Sequence, residues 1–262
     1  MLVFATIPAQ LASATIVESD TFTYADGNLT TGSGGAWVAH SDAGSTPVQV
    51  ASGRAVVNHG GTGLEDVNNA FASQSTGTVY YGIDFSVDDL GVDHSGADEY
   101  FAHFNSTGSF VARLHVTSPN VPATPAAQYT VAISTFEVEE DVKWATDLDY
   151  GTIYRAVVGY DIALDQAQLW INPVRIASTS ILGDDAAADV VSSIVSFSLR
   201  QSNPAPDEDV RVDNLIVATT FDEAAAVPEP GAFLLGSVVC GAIGLVAVGR
   251  RWLGQLKCLL PK

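Results

Sequence analysis

Period-two alternation of apolar residues governs this chain. In "VYYGIDFSV", Val79, Tyr81, Ile83, Phe85 and Val87 share one face, and Tyr80, Gly82, Asp84 and Ser86 share the other. "SFVARLHVT" sets Phe110, Ala112, Leu114 and Val116 against Val111, Arg113, His115 and Thr117. "QYTVAISTFEV", "TIYRAVVGYDI", "QAQLWIN", "SIVSFSLR" and "VRVDNLIVAT" alternate in the same way. Successive side chains of a strand point to opposite faces, so this pattern lays one face on a core and turns the other to water. The stretches between them ("TSPNVPATPA", "LGDDAAAD", "QSNPAPDED") hold the Gly, Pro, Asp and Ser of loops. The body sustains no 3.6-residue period with caps and carries no internal repeat. Many short strands over residues 15–224 predict a single β-sandwich or barrel domain.

Composition narrows the function. Apolar residues are 47% of the chain and charged ones 16%, which suits a packed body and not a disordered one. Residues 15–226 hold 29 of the 30 acids and seven of the 11 bases, a net charge of −22. Such a surface repels phosphate backbones, so nucleic acid is excluded as a partner. It favours solubility and attracts divalent cations. The two cysteines, Cys240 and Cys258, lie outside this span, which rules out a disulfide framework or thiol chemistry in the body.

The C-terminus has a different character. Residues 231–249 contain no charged side chain. As a helix they would extend about 28 Å at ~1.5 Å per residue, close to the hydrocarbon thickness of a bilayer. Five glycines in this run would weaken a helix in water but are tolerated in membranes. Arg250 and Arg251 follow at once and assign that end to the cytoplasm, with the body outside. Before the run, "VPEP" holds the chain extended and breaks any helix. At the other end, "MLVFATIPAQLASA" has a short apolar stretch and an Ala12-Ser13-Ala14 sequence that fits a signal-peptidase site, although a positive n-region is lacking. An ordinary first strand is the alternative there.

Pro228, Glu229 and Pro230, the apolar run and Arg250–Arg251 together resemble the PEP-CTERM sorting signal. The resemblance implies an exported protein whose C-terminal helix is recognised and removed by an exosortase-type membrane protease, in a setting of exopolysaccharide production. "TFTYADGNLT", "AQLWINPV" and "VRVDNLIVATTFDEA" resemble concanavalin-A/laminin-G-like jelly-roll domains. The expected class is therefore all-β: an antiparallel β-sandwich of the jelly-roll kind, followed by one C-terminal transmembrane helix. The expected order is a signal peptide (1–14), the sandwich (15–224), a linker with the Pro-Glu-Pro motif (225–230), the span (231–249) and a basic cytoplasmic tail (250–262). Trp170 reads as core and Asn172-Pro173 as a strand terminator. The jelly-roll resemblance also implies a structural Ca²⁺ where first and last strands meet, with Asp20 and Asp213 as ligands helped by a carbonyl near Gly27. Alternation breaks at Asp213, so a bulge there would let Val212 and Leu215 both face inward. The alternative is that Asp213 only bonds local amides.

Candidate chemistry is sparse. "FEVEED" places Glu137 and Glu139 on one strand face about 7 Å apart, the basis of an alternative reading as a glycoside hydrolase of laminarinase-like fold. The Asp that such a motif needs between the two glutamates is missing. His40, His59, His94, His103 and His115 have no zinc-site spacing, and neither G-x-S-x-G nor a P-loop occurs. "NHGGTG" at 58–63 reads as a turn. Asp88, Asp89, Asp93 and Asp98 read as a solvated loop. Sugar sites favour exposed aromatics, and Trp37, Tyr100 and Trp144 stand in loop-like positions. The reading is an exported, non-enzymatic surface or matrix protein associated with glycan, with a purely structural matrix role as a further alternative.

Overall fold

The computed structural model describes residues 15–95, 99–106, 108–121, 127–136, 140, 142–183, 191–202 and 208–226. The segment read as a signal peptide, the Pro-Glu-Pro motif, the apolar run, the basic tail and the Glu137/Glu139 pair lie outside the described residues. Among the described residues no helix is long and apolar enough to cross a membrane.

In chain order the elements begin with β1 (Ile16–Asp20), β2 (Gly27–Asn28), α1 (Leu29–Gly32), β3 (Trp37–Ser41), β4 (Gln49–Val50) and β5 (Ala55–His59). Then come β6 (Asp66–Gln74), β7 (Thr78–Val87), β8 (Glu99–Asn105), β9 (Phe110–Thr117), β10 (Gln128–Ser134), β11 (Val142–Lys143) and β12 (Leu148–Asp149). The chain continues through β13 (Tyr154–Asp161), β14 (Gln166–Ile171), β15 (Ile181–Leu182), β16 (Ile194–Leu199), β17 (Glu208–Ala218) and α2 (Phe221–Ala225). One sheet runs β15-β14-β13-β7-β17-β5-β4-β2, with β1 added against β17. The other runs β11-β10-β9-β8-β16-β6-β3, with β12 against β10. The class is an all-β antiparallel sandwich.

The inner faces meet in an apolar core whose aromatic rings interlock. Tyr81 lies 4.9 Å from Phe104 and 5.0 Å from Phe197, and Trp37 lies 5.5 Å from Phe22. Such pairs add roughly 0.5–1.5 kcal/mol each beyond the area they bury. The buried Tyr81 hydroxyl donates to the Ala112 carbonyl at 2.9 Å, so its polar end is satisfied. The bulge expected at Asp213 is present: the register with β7 shifts between Asp213 and Ile216, and Asn214 takes φ +50°. Val212 and Leu215 are both buried. Trp170 is core, and β14 stops at Ile171, just before Asn172.

One expectation fails. Alternation predicts a water-facing side for each sheet, yet β7, β9, β10 and β13 are buried along nearly their whole length. On the first sheet the reason is α2. It lays Phe221 and Ala224 on Tyr80, Val157, Trp170, Ile216 and Ala218, a second apolar cluster outside the main core. A Cβ on Gly82 would lie 1.9 Å from the Ala224 carbonyl oxygen, so only glycine admits the helix end. Beside it the buried Arg155 donates to the Ala224 carbonyl (2.6 Å), the Ala226 carbonyl (3.1 Å), the Asn214 carbonyl (2.7 Å) and Asp84 (3.2 Å). The first two bonds satisfy carbonyls that a helix end leaves open. Residues 225 and 226, expected in the linker, thus complete the folded unit, which ends at Ala226. On the second sheet the outer face is enclosed and polar, and it holds the candidate site.

Candidate functional site on the outer face of the second sheet

The site grows from irregular pairing between β8 and β9. The register shifts between Tyr100 and Ala102 and again between Ala102 and Phe104, while Ala112 adopts φ +54°. Bulges re-aim side chains. Here the extra residue turns Phe110 to the same face as Arg113 and His115, where simple alternation would oppose them. Tyr100 pairs across to His115, His115 to Ala132, Arg113 to Ser134, and His103 to Ser198. The outer face of the central strands therefore carries Tyr100, His103, Arg113, His115, Ser134 and Ser198.

Geometry joins them into one cluster. The Arg113 guanidinium carbon lies 4.7 Å from the Tyr100 ring centroid and that of Arg200 lies 4.3 Å from it, so two cations bracket one phenol. His103 is 5.4 Å and His115 5.7 Å from Tyr100, ring to ring. Phe110 lies 4.6 Å from His103 and 5.2 Å from His40. His115 Nε2 and Ser134 Oγ are 3.0 Å apart, and His103 Nδ1 is 3.1 Å from the Phe104 carbonyl, so it carries the proton and donates. Burial, reinforced by Arg113 and Arg200, pushes both imidazoles down to about 3, which leaves them neutral at physiological pH. Among the described residues His103 Nε2, His115 Nδ1 and Ser198 Oγ find no hydrogen-bond partner. Buried polar atoms are nearly always paired, so orphans gathered in one place single this face out. At one margin Lys143 reaches Ser118 and Glu140, both at 3.1 Å. Three of the body's seven cations (Arg113, Lys143, Arg200) thus gather on one face of a strongly acidic protein.

Arg200 leads into an open pocket of about 390 Å³ lined by Ser41, Asp42, Gly61, Thr62, Asp66 and Ser202 among others. In "NHGGTG" Asn58 and His59 close β5, residues 60–63 form the bend, and Gly61, Thr62 and Gly63 wall this pocket. Burial raises the Asp66 carboxyl above its ordinary range, although Ser41 Oγ (2.8 Å) and the Gln201 amide (2.9 Å) donate to it. Behind the pocket, His59 Nδ1 lies 2.9 Å and His94 Nε2 3.2 Å from one oxygen of the buried Glu208. Burial opposes ionisation of Glu208, but the two imidazoles outweigh it and hold its carboxyl down to about 2. His59 Nε2 also lies 3.4 Å from the Arg200 carbonyl, which ties this buried group to the strand end that carries Arg200.

The residues predicted for sugar and metal fall elsewhere. Trp37 opens β3 fully buried, with its indole in the core between Phe22 and Phe197, so it is no surface platform. Tyr100 belongs to the cluster but is 5% exposed and lies in a strand, not a loop. Trp144 is half-buried against the main core. None of the three is the exposed loop aromatic expected: Trp37 and Tyr100 are buried in strands, and Trp144, between β11 and β12, packs partly against the core.

Asp20 and Asp213 do approach across β1 and β17, but not as cation ligands. Asp20 Oδ2 accepts from Trp37 Nε1 (2.6 Å) and Tyr24 Oη (2.7 Å), while Oδ1 accepts from the Phe22 amide (2.7 Å). An indole N–H is a donor only and cannot ligate a cation. Asp213 Oδ1 accepts from the Asn214 amide (2.7 Å), the local-amide alternative. Its other oxygen lies 4.0 Å from Arg54 Nε. The donor set does not fit calcium, and among the described residues no group of three or more His, Cys, Asp or Glu is arranged to hold a metal. In the acidic loop, Asp88 pairs with Arg211 at 2.6 Å, and Asp98 lies outside the described residues.

The fold and face define a class: antiparallel β-sandwiches with an enclosed polar sheet face. No protein-family model matches the chain, and no curated protein matches it. Among solved structures it is similar to a sialidase (TM-score 0.47, 12% identity), covering 78% of this chain and 19% of that one. It is also similar to the marine PL7 alginate lyase AlyA1 from Zobellia galactanivorans (TM-score 0.44, 14% identity, 65% of this chain and 79% of that). A third is the CBM2 module of the Lactobacillus casei BL23 phage J-1 evolved Dit (TM-score 0.41, 10% identity, 66% and 79%). The likeness reaches the sandwich architecture and no further.

Proposed function

We propose that this is an exported, non-enzymatic surface or matrix protein that associates with glycan through the outer face of its second sheet. In this reading the body is a concanavalin-A/laminin-G-like jelly roll. Pro228, Glu229, Pro230, Arg250 and Arg251 form a PEP-CTERM signal read by an exosortase-type membrane protease. One observation carries the glycan assignment: where a second apolar layer would be expected, β8 to β10 and β16 present Tyr100, His103, Arg113, His115 and Ser198, with His103 Nε2, His115 Nδ1 and Ser198 Oγ unpaired among the described residues. A hydroxyl-rich ligand supplies both donors and acceptors to such atoms. Arg200 and the adjoining pocket give it an entrance. The rim carboxylates Glu99 and Asp66 are held by Arg200 and by Ser41 and Gln201, which suits binding better than acid–base chemistry.

The test is retention of the body on a panel of immobilised polysaccharides. Retention on at least one glycan, weakened at least tenfold by Arg200→Gln with the melting temperature preserved, is the expected result. No retention across the panel ends the glycan assignment. Turnover of β-glucan abolished by Glu139→Gln would replace it with the hydrolase reading.

A further inference from the structure

The folded unit ends at a fixed point. Arg155 clamps the Ala226 carbonyl at 3.1 Å, and residues 227–230 separate it from the uncharged run that begins at Gly231. Five Cα steps reach at most about 17 Å even when fully extended. If residues 231–249 enter a bilayer, this short tether keeps the surface around Ala226 within reach of the headgroup layer.

That surface carries exposed apolar side chains. The nine large apolar side chains exposed among the described residues include Ile153 (54%), Val174 (90%) and Ile176 (55%), and all three lie at this end. Ile153 precedes β13 by one residue and Arg155 by two. Asn172 exchanges two hydrogen bonds of 2.7 Å with the Arg155 backbone, which places the loop after β14 beside the clamp. The loop is built, not loose. Trp170 Nε1 donates to the Ile176 carbonyl at 3.2 Å, and Ser178 Oγ accepts from the amides of Val174 and Arg175, both at 3.2 Å. It therefore holds Val174 and Ile176 outward with the exposed Arg175 between them. Aliphatic side chains flanking a cation suit the boundary between acyl chains and phosphates.

We infer that Ile153, Val174, Arg175 and Ile176 form a membrane-contacting face that seats the body on the bilayer into which its own C-terminal segment inserts. The inference rests on the reading of residues 231–249 as a span. Three side chains give weak contact, and the −22 body is repelled by anionic lipid. Contact thus depends on the tether, which raises the local concentration of lipid surface. The face would hold the Pro-Glu-Pro segment at headgroup level, in reach of a membrane-embedded protease.

The test uses the full chain in phosphatidylcholine vesicles, with Cys240→Ser and Cys258→Ser so that single labels can be placed. An environment-sensitive fluorophore at Val174→Cys should emit to the blue and be quenched by lipid-borne nitroxide. The same label at Leu164→Cys, 72% exposed at the opposite end of the β13–β14 hairpin, should stay solvent-like. Replacing Val174 and Ile176 by Glu should abolish quenching of a label at Ile153→Cys. Equal, solvent-like emission at both sites in chains that resist alkaline extraction overturns the membrane face. Chains released by alkaline extraction overturn the reading of the span itself.

Discussion

At the residue scale, two imidazoles and one carboxylate set the response to acid. Burial, aided by Arg113, lowers His103 and His115 to about 3 from the usual 6.5. Between those values the unfolded chain binds protons that the folded chain refuses, so stability falls as pH falls through that window. The slope is about 1.4 kcal/mol per pH unit for each imidazole. Glu208, held at about 2 against an ordinary 4.5, adds stability present above pH 4.5 and lost as pH falls toward 2. Urea unfolding across pH should show His103→Gln/His115→Gln flatter than wild type from 6.5 to 3, and Glu208→Gln flatter only below 4.5. Identical slopes in all three would mean that these groups titrate normally in the fold.

Asp20 makes a second prediction at the same scale. Its carboxylate accepts three internal bonds, one from the buried Trp37 indole, and burial, reinforced by the hydrogen bond to Asp20 and its charge, drives the Tyr24 hydroxyl up. Asp20→Asn should cost about 2–3 kcal/mol, since charge-assisted bonds weaken and one acceptor oxygen becomes a donor. Calcium should protect the protein no more than sodium at matched ionic strength. A calcium-specific rise in melting temperature that is lost in Asp213→Asn would restore the ion.

At the element scale, α2 is the piece whose docking depends on a single missing atom. Gly82→Ala would put a Cβ 1.9 Å from the Ala224 carbonyl oxygen and 2.5 Å from Arg155 Nη2, and neither the backbone nor the buried guanidinium yields cheaply. The helix must lift, uncovering Tyr80, Trp170 and Phe221. A loss of about 3 kcal/mol is expected, at the upper end for overpacking. Hydrogen exchange at the Ala224 and Ala226 amides should accelerate far more than in β9. Wild-type protection at those amides would show that the helix docks without needing the glycine.

At the scale of the whole molecule, the prediction concerns sorting. Replacing Pro228 and Pro230 by Ala leaves the apolar run and Arg250–Arg251 intact, so insertion should persist while release from the membrane is lost. Cell fractionation decides it: a double variant released like wild type shows that the proline pair is not read by the protease.

Alternation alone determined the class, because strand geometry converts a period of two into faces wherever the chain lies. Its break at Asp213 also placed the bulge, while the "AQLWINPV" motif placed Trp170 in the core and the strand end before Asn172. Which faces are covered was decided only in three dimensions. Nothing in "FDEAA" announces a helix that buries Tyr80 and Gly82, and its docking rests on Arg155, some 70 residues away in sequence. The same limit hid the polar face. His103 and His115 carry no spacing signal, since they meet through β8–β9 register shifts and φ +54° at Ala112, which long-range pairing imposes. Trp37 looked like a sugar platform because sequence shows an aromatic near glycines, not the carboxylate of Asp20 waiting 17 residues earlier to receive its N–H in the core. Local pattern is carried by adjacent residues and is readable along the chain. A site assembled from four strands depends on register, and register is a property of the folded sheet.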